Sequence, residues 1–468
     1  MALAGGLPGA PGRATAGEWT ITPSLEAVET YTDNVALDPP QQEEDEFITE
    51  VNPGITVIGE GNRADLRADY RMQNVFYAND IEHSTFHQLA ANGTAQVVPR
   101  TFHVDGDASI AQQLISPEDA VPTSNVTASN NRTDVYTTGV SPYVMHSFDT
   151  FARGQARYRY QRVQYSGEDF DSQTYTASAS LESGPRFDQW GWRLNGQDQR
   201  ISYDNRSDSR FRRGQGELNL QVGPYLQLFG SGGYERNEFE RAVGFEPPEG
   251  GFWEAGFRWR PTHRTSVTGA IGERFFGETR RAEIQHQTRN TTWNLSYRQE
   301  LTTLTEFAAQ RQVFVVTDEE GNPLLTGEQE PILVATAVPA LTTEVYLSER
   351  YSGSVTGRTG KSTLTLSAFN EDRTFQSTNQ TERVLGARVN WNWKFAPRTR
   401  SDIGANFLRR TFRASAREDD IWYGHARLAH DIRPNLEASL AYERAQRESN
   451  GGTDYRQNLF SLRVRLRF

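Results

Sequence analysis

The chain closes on LFSLRVRLRF, residues Leu459–Phe468. Phe460, Leu462, Val464, Leu466 and Phe468 fall on one register, and Ser461, Arg463, Arg465 and Arg467 on the other. A period of two puts successive side chains on opposite faces of a β-strand, here one apolar and one basic. The fold turns on whether that apolar face meets a protein core or lipid.

The same unit recurs along the chain. TYTASASLES (174–183), GELNLQVG (216–223), VLGARVNWNWKF (384–395) and LEASLAYE (436–443) all alternate, and no stretch reads as a long amphipathic helix. No run of about 18 apolar residues is present, so no helix is expected to cross a bilayer. The 468 residues are only 36% hydrophobic, with a net charge of −11 and a mean hydropathy of −0.69. A soluble protein of that balance would have a thin core. A transmembrane barrel escapes the limit, because only every second residue of each strand faces lipid.

The connections sort by length. Short ones carry Pro or Gly beside a base, as in EGNR (60–63), VPRT (98–101), RPTHR (260–264), APRT (396–399) and IRPN (432–435). Longer, more acidic ones lie between them, at 33–46, 116–131 and 238–250. Tight turns at one end and long loops at the other are how outer-membrane barrels are built. The expected fold is therefore all-β: a transmembrane up-and-down antiparallel β-barrel of about 22 strands (18–22), with short periplasmic turns and long extracellular loops. Such a wall must close, so the last strand pairs with the first, EWTITPSLEAVETY (Glu18–Tyr31), leaving no free edge in hydrocarbon. Leu462, Val464 and Leu466 then face lipid and Arg463, Arg465 and Arg467 face the lumen, with Glu26 the acid expected near them across the seam. The alternating end Leu462, Val464, Leu466, Phe468 resembles the C-terminal signal read by the barrel-insertion machinery. Residues 1–16, with Ala14-Thr15-Ala16 near their end, read either as a signal-peptide remnant or as a disordered terminus. Residues 17–468 read as one barrel.

Enzymatic chemistry finds little support. The eight His are scattered, with no H-E-x-x-H, G-x-S-x-G or zinc-ligand spacing. No catalytic, cofactor-binding or metal-ligating residue is assigned, and no cofactor is expected. His425 and His430, five apart, point to opposite faces of one strand. The absence of Cys removes thiolate chemistry, and the acidic balance argues against nucleic acid. FGSGGYE (229–235) sits in a strand pattern, where glycine admits curvature or a neighbouring aromatic. Six tryptophans, Trp190, Trp192, Trp253, Trp259, Trp391 and Trp393, fall mostly near strand ends, as interfacial anchors do. On FARGQARYRYQRV, Arg153, Arg157 and Arg159 share the lumenal register. They either guide an acidic polysaccharide or pair with carboxylates on the next strand. Residues 304–343 form the longest connection, either a pore-inserted constriction or an extracellular hairpin.

Six stretches together resemble one family: ETYTDNV (29–35), FITEVNPGITV (47–57), DYRMQNVFYAND (69–80), RWRPTHRTSV (258–267), GERFFGET (272–279) and SYRQELTT (296–303). They are similar to β-barrel porins associated with PEP-CTERM/exosortase exopolysaccharide systems of Gram-negative bacteria. That resemblance implies a bacterial outer-membrane location, lipid and insertion-machinery partners, and proximity to polysaccharide and its export proteins. It brings no catalytic residues. Two functions follow as expectations: a non-enzymatic pore for export or passage of exopolysaccharide or related solutes, or a closed barrel anchoring a surface polymer or partner protein. A monomer is expected, and trimeric packing stays open.

Overall fold

The computed structural model describes residues 17–468 apart from 80, 169, 206, 243–247, 304–343 and 414. The expected signal-peptide remnant and the 304–343 connection lie outside the described residues. The strands are β1 (Glu18–Thr32), β2 (Glu46–Glu60), β3 (Ala64–Tyr77), β4 (Ser84–Val98), β5 (Phe102–Leu114), β6 (Arg132–Phe148), β7 (Ala152–Tyr165) and β8 (Ser172–Ser183). They continue with β9 (Trp190–Tyr203), β10 (Ser209–Val222), β11 (Leu226–Glu238), β12 (Glu249–Thr262), β13 (Thr265–Arg274), β14 (Gly277–Gln287) and β15 (Thr291–Thr303). The last are β16 (Val345–Arg358), β17 (Ser362–Phe375), β18 (Thr381–Ala396), β19 (Thr399–Phe412), β20 (Arg417–Arg433), β21 (Leu436–Ser449) and β22 (Tyr455–Arg467).

Each strand pairs antiparallel with its sequence neighbours, and β22 returns to β1, so the 22-stranded sheet is closed. The seam runs from Ser24↔Arg467 to Thr32↔Leu459. Phe468 extends it, its backbone N–H donating to Pro23 O at 2.9 Å. Closure leaves every wall strand with two partners, the condition for putting backbone amides in hydrocarbon. At the end shared by both termini the connections are two to six residues long. The long ones, 33–45, 115–131 and 239–248, are all at the other end.

The outer register carries the lipid belt. On β22, Phe460, Leu462 and Val464 are 52%, 50% and 41% exposed, while Gln457 and Leu459 behind them are buried. A soluble monomer rarely exposes such contiguous apolar surface; a bilayer requires it. Trp190, Trp259, Trp391 and Trp393 stand near the short-turn end, whereas Trp253 and Trp422 stand toward the long-loop end. These two levels form the aromatic girdles of the barrel.

Burial is concentrated inside the mouth. Val35, Ile48, Val75, Tyr77, Val126 and Leu459 form one apolar cluster, and Leu114, Val121, Val384, Leu408 and Ile421 another. Val35 belongs to 33–45, and Val121 and Val126 to 115–131. These connections, expected to stand outside, fold into the lumen instead. The physical reason is that their few apolar side chains find partners on the upper inner wall, where they exclude water.

Candidate functional site: the lumenal constriction

The connection between β5 and β6 crosses the lumen and docks on the strands around the seam. Its backbone is held carbonyl by carbonyl. Arg447 donates to Glu118 O at 2.7 Å and also to Asp119 O. Tyr455 Oη donates to Val121 O at 3.1 Å, and Tyr77 Oη to Val126 O at 3.1 Å. The Thr127 hydroxyl donates to Gln457 Oε1 at 3.3 Å. At the strap's near end, Arg132 donates to Ser124 O at 3.0 Å and Thr127 O at 3.1 Å. Loop carbonyls that would be orphaned inside a barrel thus receive side-chain donors.

The 33–45 loop packs beneath this strap. Ala128 N donates to Val35 O at 2.8 Å, Gln457 Nε2 donates to Asn34 O at 2.7 Å, and Leu37 joins Tyr423, Ala445 and Tyr455. On the loop's outer edge, the Gln41 backbone N–H donates to Glu43 and Arg456 lies beside it. Together they hold the Glu43 carboxyl below the usual carboxylate range, the Gln41 bond contributing most. A depressed folded pKa means that this tie is present at neutral pH and is lost as pH falls through that value.

Two buried charge networks carry the strap. At the seam, Glu26 is 2% exposed and accepts from Arg465 Nε at 2.9 Å. Arg71 lies 3.4 Å and Arg463 3.7 Å from the same carboxylate. From there a hydrogen-bonded chain runs through Asn52 and Glu50 to Gln73, whose Oε1 accepts from Asn125 of the strap at 2.8 Å. On the other flank, Asp419 bridges Arg417 and Arg447, each at 3.0 Å. Further round, Glu382 lies 3.3 Å from Arg373 and 2.9 Å from Arg410, and Glu371 3.0 Å from Arg373. Arg373, Arg410 and Arg447 are among the largest fully buried side chains. Of the C-terminal arginines, Arg463 and Arg465 converge on Glu26, whereas Arg467 is exposed at the periplasmic rim.

The β7 arginines lie on the lumenal register. Arg157 meets Asp105 at 2.8 Å and Arg159 meets Asp107 at 2.8 Å. Their partners are two strands away on β5, not on the adjacent strand. The intervening β6 lets them reach: Arg157 also donates to Ser141 Oγ at 2.9 Å, and a Cβ at Gly139 would stand 2.7 Å from Asp107 and 2.8 Å from Arg159. Arg153 is exposed nearer the periplasmic mouth.

Other lumenal arginines are held flat against the wall by stacking. The Arg213 guanidinium lies 4.2 Å over Phe252, Arg258 4.5 Å over Phe229 and Arg350 4.1 Å over Phe369. Each ring is seated on a glycine: a Cβ at Gly386 would be 2.2 Å from Phe369 Cε1, and one at Gly233 would be 2.8 Å from Phe252 Cζ. Of the glycines in FGSGGYE, Gly233 serves close ring approach, whereas a Cβ at Gly230 would meet nothing within 4 Å. Gly386→Ala should displace Phe369 and cost about 1–3 kcal/mol by overpacking. Gly196→Ala, whose Cβ would meet nothing within 4 Å, should change stability by less than about 0.5 kcal/mol. Thermal midpoints of heat-modifiable gel mobility compare the two.

Among the candidate residues of the sequence, Glu26, Arg463 and Arg465 come together and Arg157 and Arg159 find carboxylates. Sequence reasoning missed Asp105, Asp107, Arg417 and Arg447, and the strap itself. The only local signal was a pair of valines, Val121 and Val126, inside a polar loop. No group of three or more metal-ligating side chains occurs among the described residues.

Residues 8–285 match the model of the family described as Putative beta-barrel porin 2. The chain belongs to that family. No curated protein sequence matches it. Solved structures match across almost the whole barrel. The siderophore receptor PirA from Acinetobacter baumannii shares 9% identity at a TM-score of 0.51, covering 97% of this chain and 81% of that one. The FrpB iron transporter from Neisseria meningitidis (F3-3 variant) shares 10% identity at a TM-score of 0.52, covering 95% and 81%. At that identity the likeness is one of fold. This porin-family barrel resides in the bacterial outer membrane, in contact with its lipid.

Proposed function

We propose that this barrel is a non-enzymatic outer-membrane pore whose lumen favours anionic solutes. Exopolysaccharide or its fragments are the class that the six family-like stretches suggest, as part of a PEP-CTERM/exosortase export system. The observation that carries the reading is the charge of the inner wall over β7–β17. There the inward arginines, among them Arg157, Arg213, Arg258, Arg281, Arg298 and Arg350, outnumber the inward carboxylates among the described residues, although the whole chain carries −11. Arg298 and Arg350 even stand directly opposite one another. Guanidinium groups present forked donors to carboxylates and phosphates, and a basic pore lining sets anion preference.

Refolded protein in a planar bilayer under a salt gradient tests this. The expected result is steady conductance with an anion-selective reversal potential, reduced when an anionic polysaccharide is added to one chamber. Arg157→Gln with Arg159→Gln should move the reversal potential toward cations. Cation selectivity in the wild type would refute the reading. A second reading, a closed anchoring barrel, is favoured by the strap and the 33–45 loop buried in the mouth; no conductance from folded protein would select it.

A further inference from the structure

Several inward arginines of the wall are tied to a carboxylate: Arg258 lies 3.4 Å from Glu217, Arg281 2.7 Å from Glu254 and Arg350 3.1 Å from Glu371. Arg388 is not. It stands half-buried near the middle of β18, on the lumenal register between Ala387 and Val389 of the outer one. Among the described residues its side chain bonds only to Asn406, Nε donating to Oδ1 at 2.9 Å. That leaves the fork formed by Nη1 and Nη2 without a protein acceptor.

The surroundings of Arg388 are neutral hydrogen-bonding groups. Directly paired residues run Asn294↔Ser354↔Ser367↔Arg388↔Asn406 across β15–β19, all on the lumenal register. Thr365 and Asn390 flank this row toward the periplasm. Its next member, Tyr423, packs with Leu37 of the inward 33–45 loop, so the patch adjoins the constriction. Asn406 is a costly residue for that place. Its bond from Arg388 requires the amide oxygen to face the guanidinium, and its Nδ2 is then buried without an acceptor. A buried donor left unpaired destabilises the fold. What the amide does instead is hold Nε, so that the guanidinium presents its free edge.

We propose that Arg388 binds the carboxylate of an acidic sugar inside the lumen, with the row from Asn294 to Ser367 bonding the sugar hydroxyls and Asn406 positioning the guanidinium. The inference rests on the anion-conducting reading above and adds a place and a ligand class to it. A guanidinium edge meets a carboxylate as a fork, and one cation matches one negative charge. A phosphate dianion would keep an uncompensated charge, because no second arginine stands beside Arg388 on its row. Hydroxyl and amide side chains both donate and accept, as a polyol requires. The row continues three strands beyond Arg388, about 14 Å at the usual strand spacing, which gives room for more than one sugar ring.

The test measures binding apart from conductance. Full-length protein in detergent micelles is titrated, with ligand-observed NMR, against cellobiouronic acid, which carries one carboxylate, and against cellobiose, its neutral match. Wild type should bind the acid about tenfold more tightly. Arg388→Gln should remove that difference, as expected for a lost charge-assisted bond, and leave cellobiose binding unchanged. Asn406→Asp keeps an acceptor for Nε but supplies a competing carboxylate, so it should also remove the difference; a merely structural role for Asn406 would tolerate this near-isosteric change. Arg383→Gln, on the outer register of the same strand, should alter neither affinity. Heat-modifiable mobility confirms that each variant is a folded barrel. Equal affinity of wild type for the two sugars would overturn the proposal. So would an unchanged preference in Arg388→Gln, or tighter binding of a disaccharide carrying phosphate in place of the carboxylate. A cation-selective reversal potential with the preference intact would overturn the pore reading and leave the site standing.

Discussion

Replacing residues 117–130 by a two-residue turn should raise single-channel conductance severalfold. The strap runs from β5 to the inner face of β20–β22 and occupies lumen that a 22-stranded wall would otherwise leave wide. Its excision removes the apolar plug of Val121 and Val126 but not the wall's own ion pairs, since Arg447 and Arg417 keep Asp419 at 3.0 Å. The barrel should therefore still fold, which heat-modifiable mobility checks. A milder change, Arg447→Met, withdraws the donors to the Glu118 and Asp119 carbonyls. It should leave mean conductance near that of the wild type but add large, brief openings as the strap detaches. Unchanged conductance and noise in both variants would place the permeation path away from the strap.

Glu26→Gln should produce the largest loss of stability of any single substitution in the wall. One buried carboxylate faces Arg465, Arg71 and Arg463. Removing the acid from such a group leaves buried positive charge without its counter-ion, which costs about 3–5 kcal/mol. The site lies across the closing seam, so the effect should appear as slower assembly as well as a lower thermal midpoint. Glu29, on the outer register of the same strand and bonded to Thr49 Oγ1 at 2.9 Å, is the control. Glu29→Gln should cost less than about 1 kcal/mol, because a neutral amide can still accept that exposed bond. Equal losses at the two positions would mean that the seam network contributes little.

The wall was legible in the sequence because its information is local. Leu385, Ala387, Val389, Trp391 and Trp393 show their shared face by spacing alone, and the contrast between APRT and SPEDAVPTSNVTASNN shows which end of the barrel each connection occupies. Glu26 was legible because closure leaves β1 only one partner beside β2. Arg157 and Arg159 were legible as lumenal, but their counter-ions were not. Asp105 and Asp107 reach them across β6 only because Gly139 and Ser141 leave room, and nothing in a strand's own period indicates a contact two strands away.

By itself, then, the sequence determined the strand period, the two faces, the closed antiparallel order and the identity of the seam acid, since each follows from alternation and from the need to pair every backbone edge. Only the tertiary structure decided that residues 33–45 and 115–131 turn inward. It also decided which carboxylate meets which arginine, and that the outward residues Ala156, Ala179, Gly196 and Gly214 of four neighbouring strands fall on one row. Loops have no period to read, and register between strands is set by pairing around the whole barrel. Those features exist only once the wall has closed.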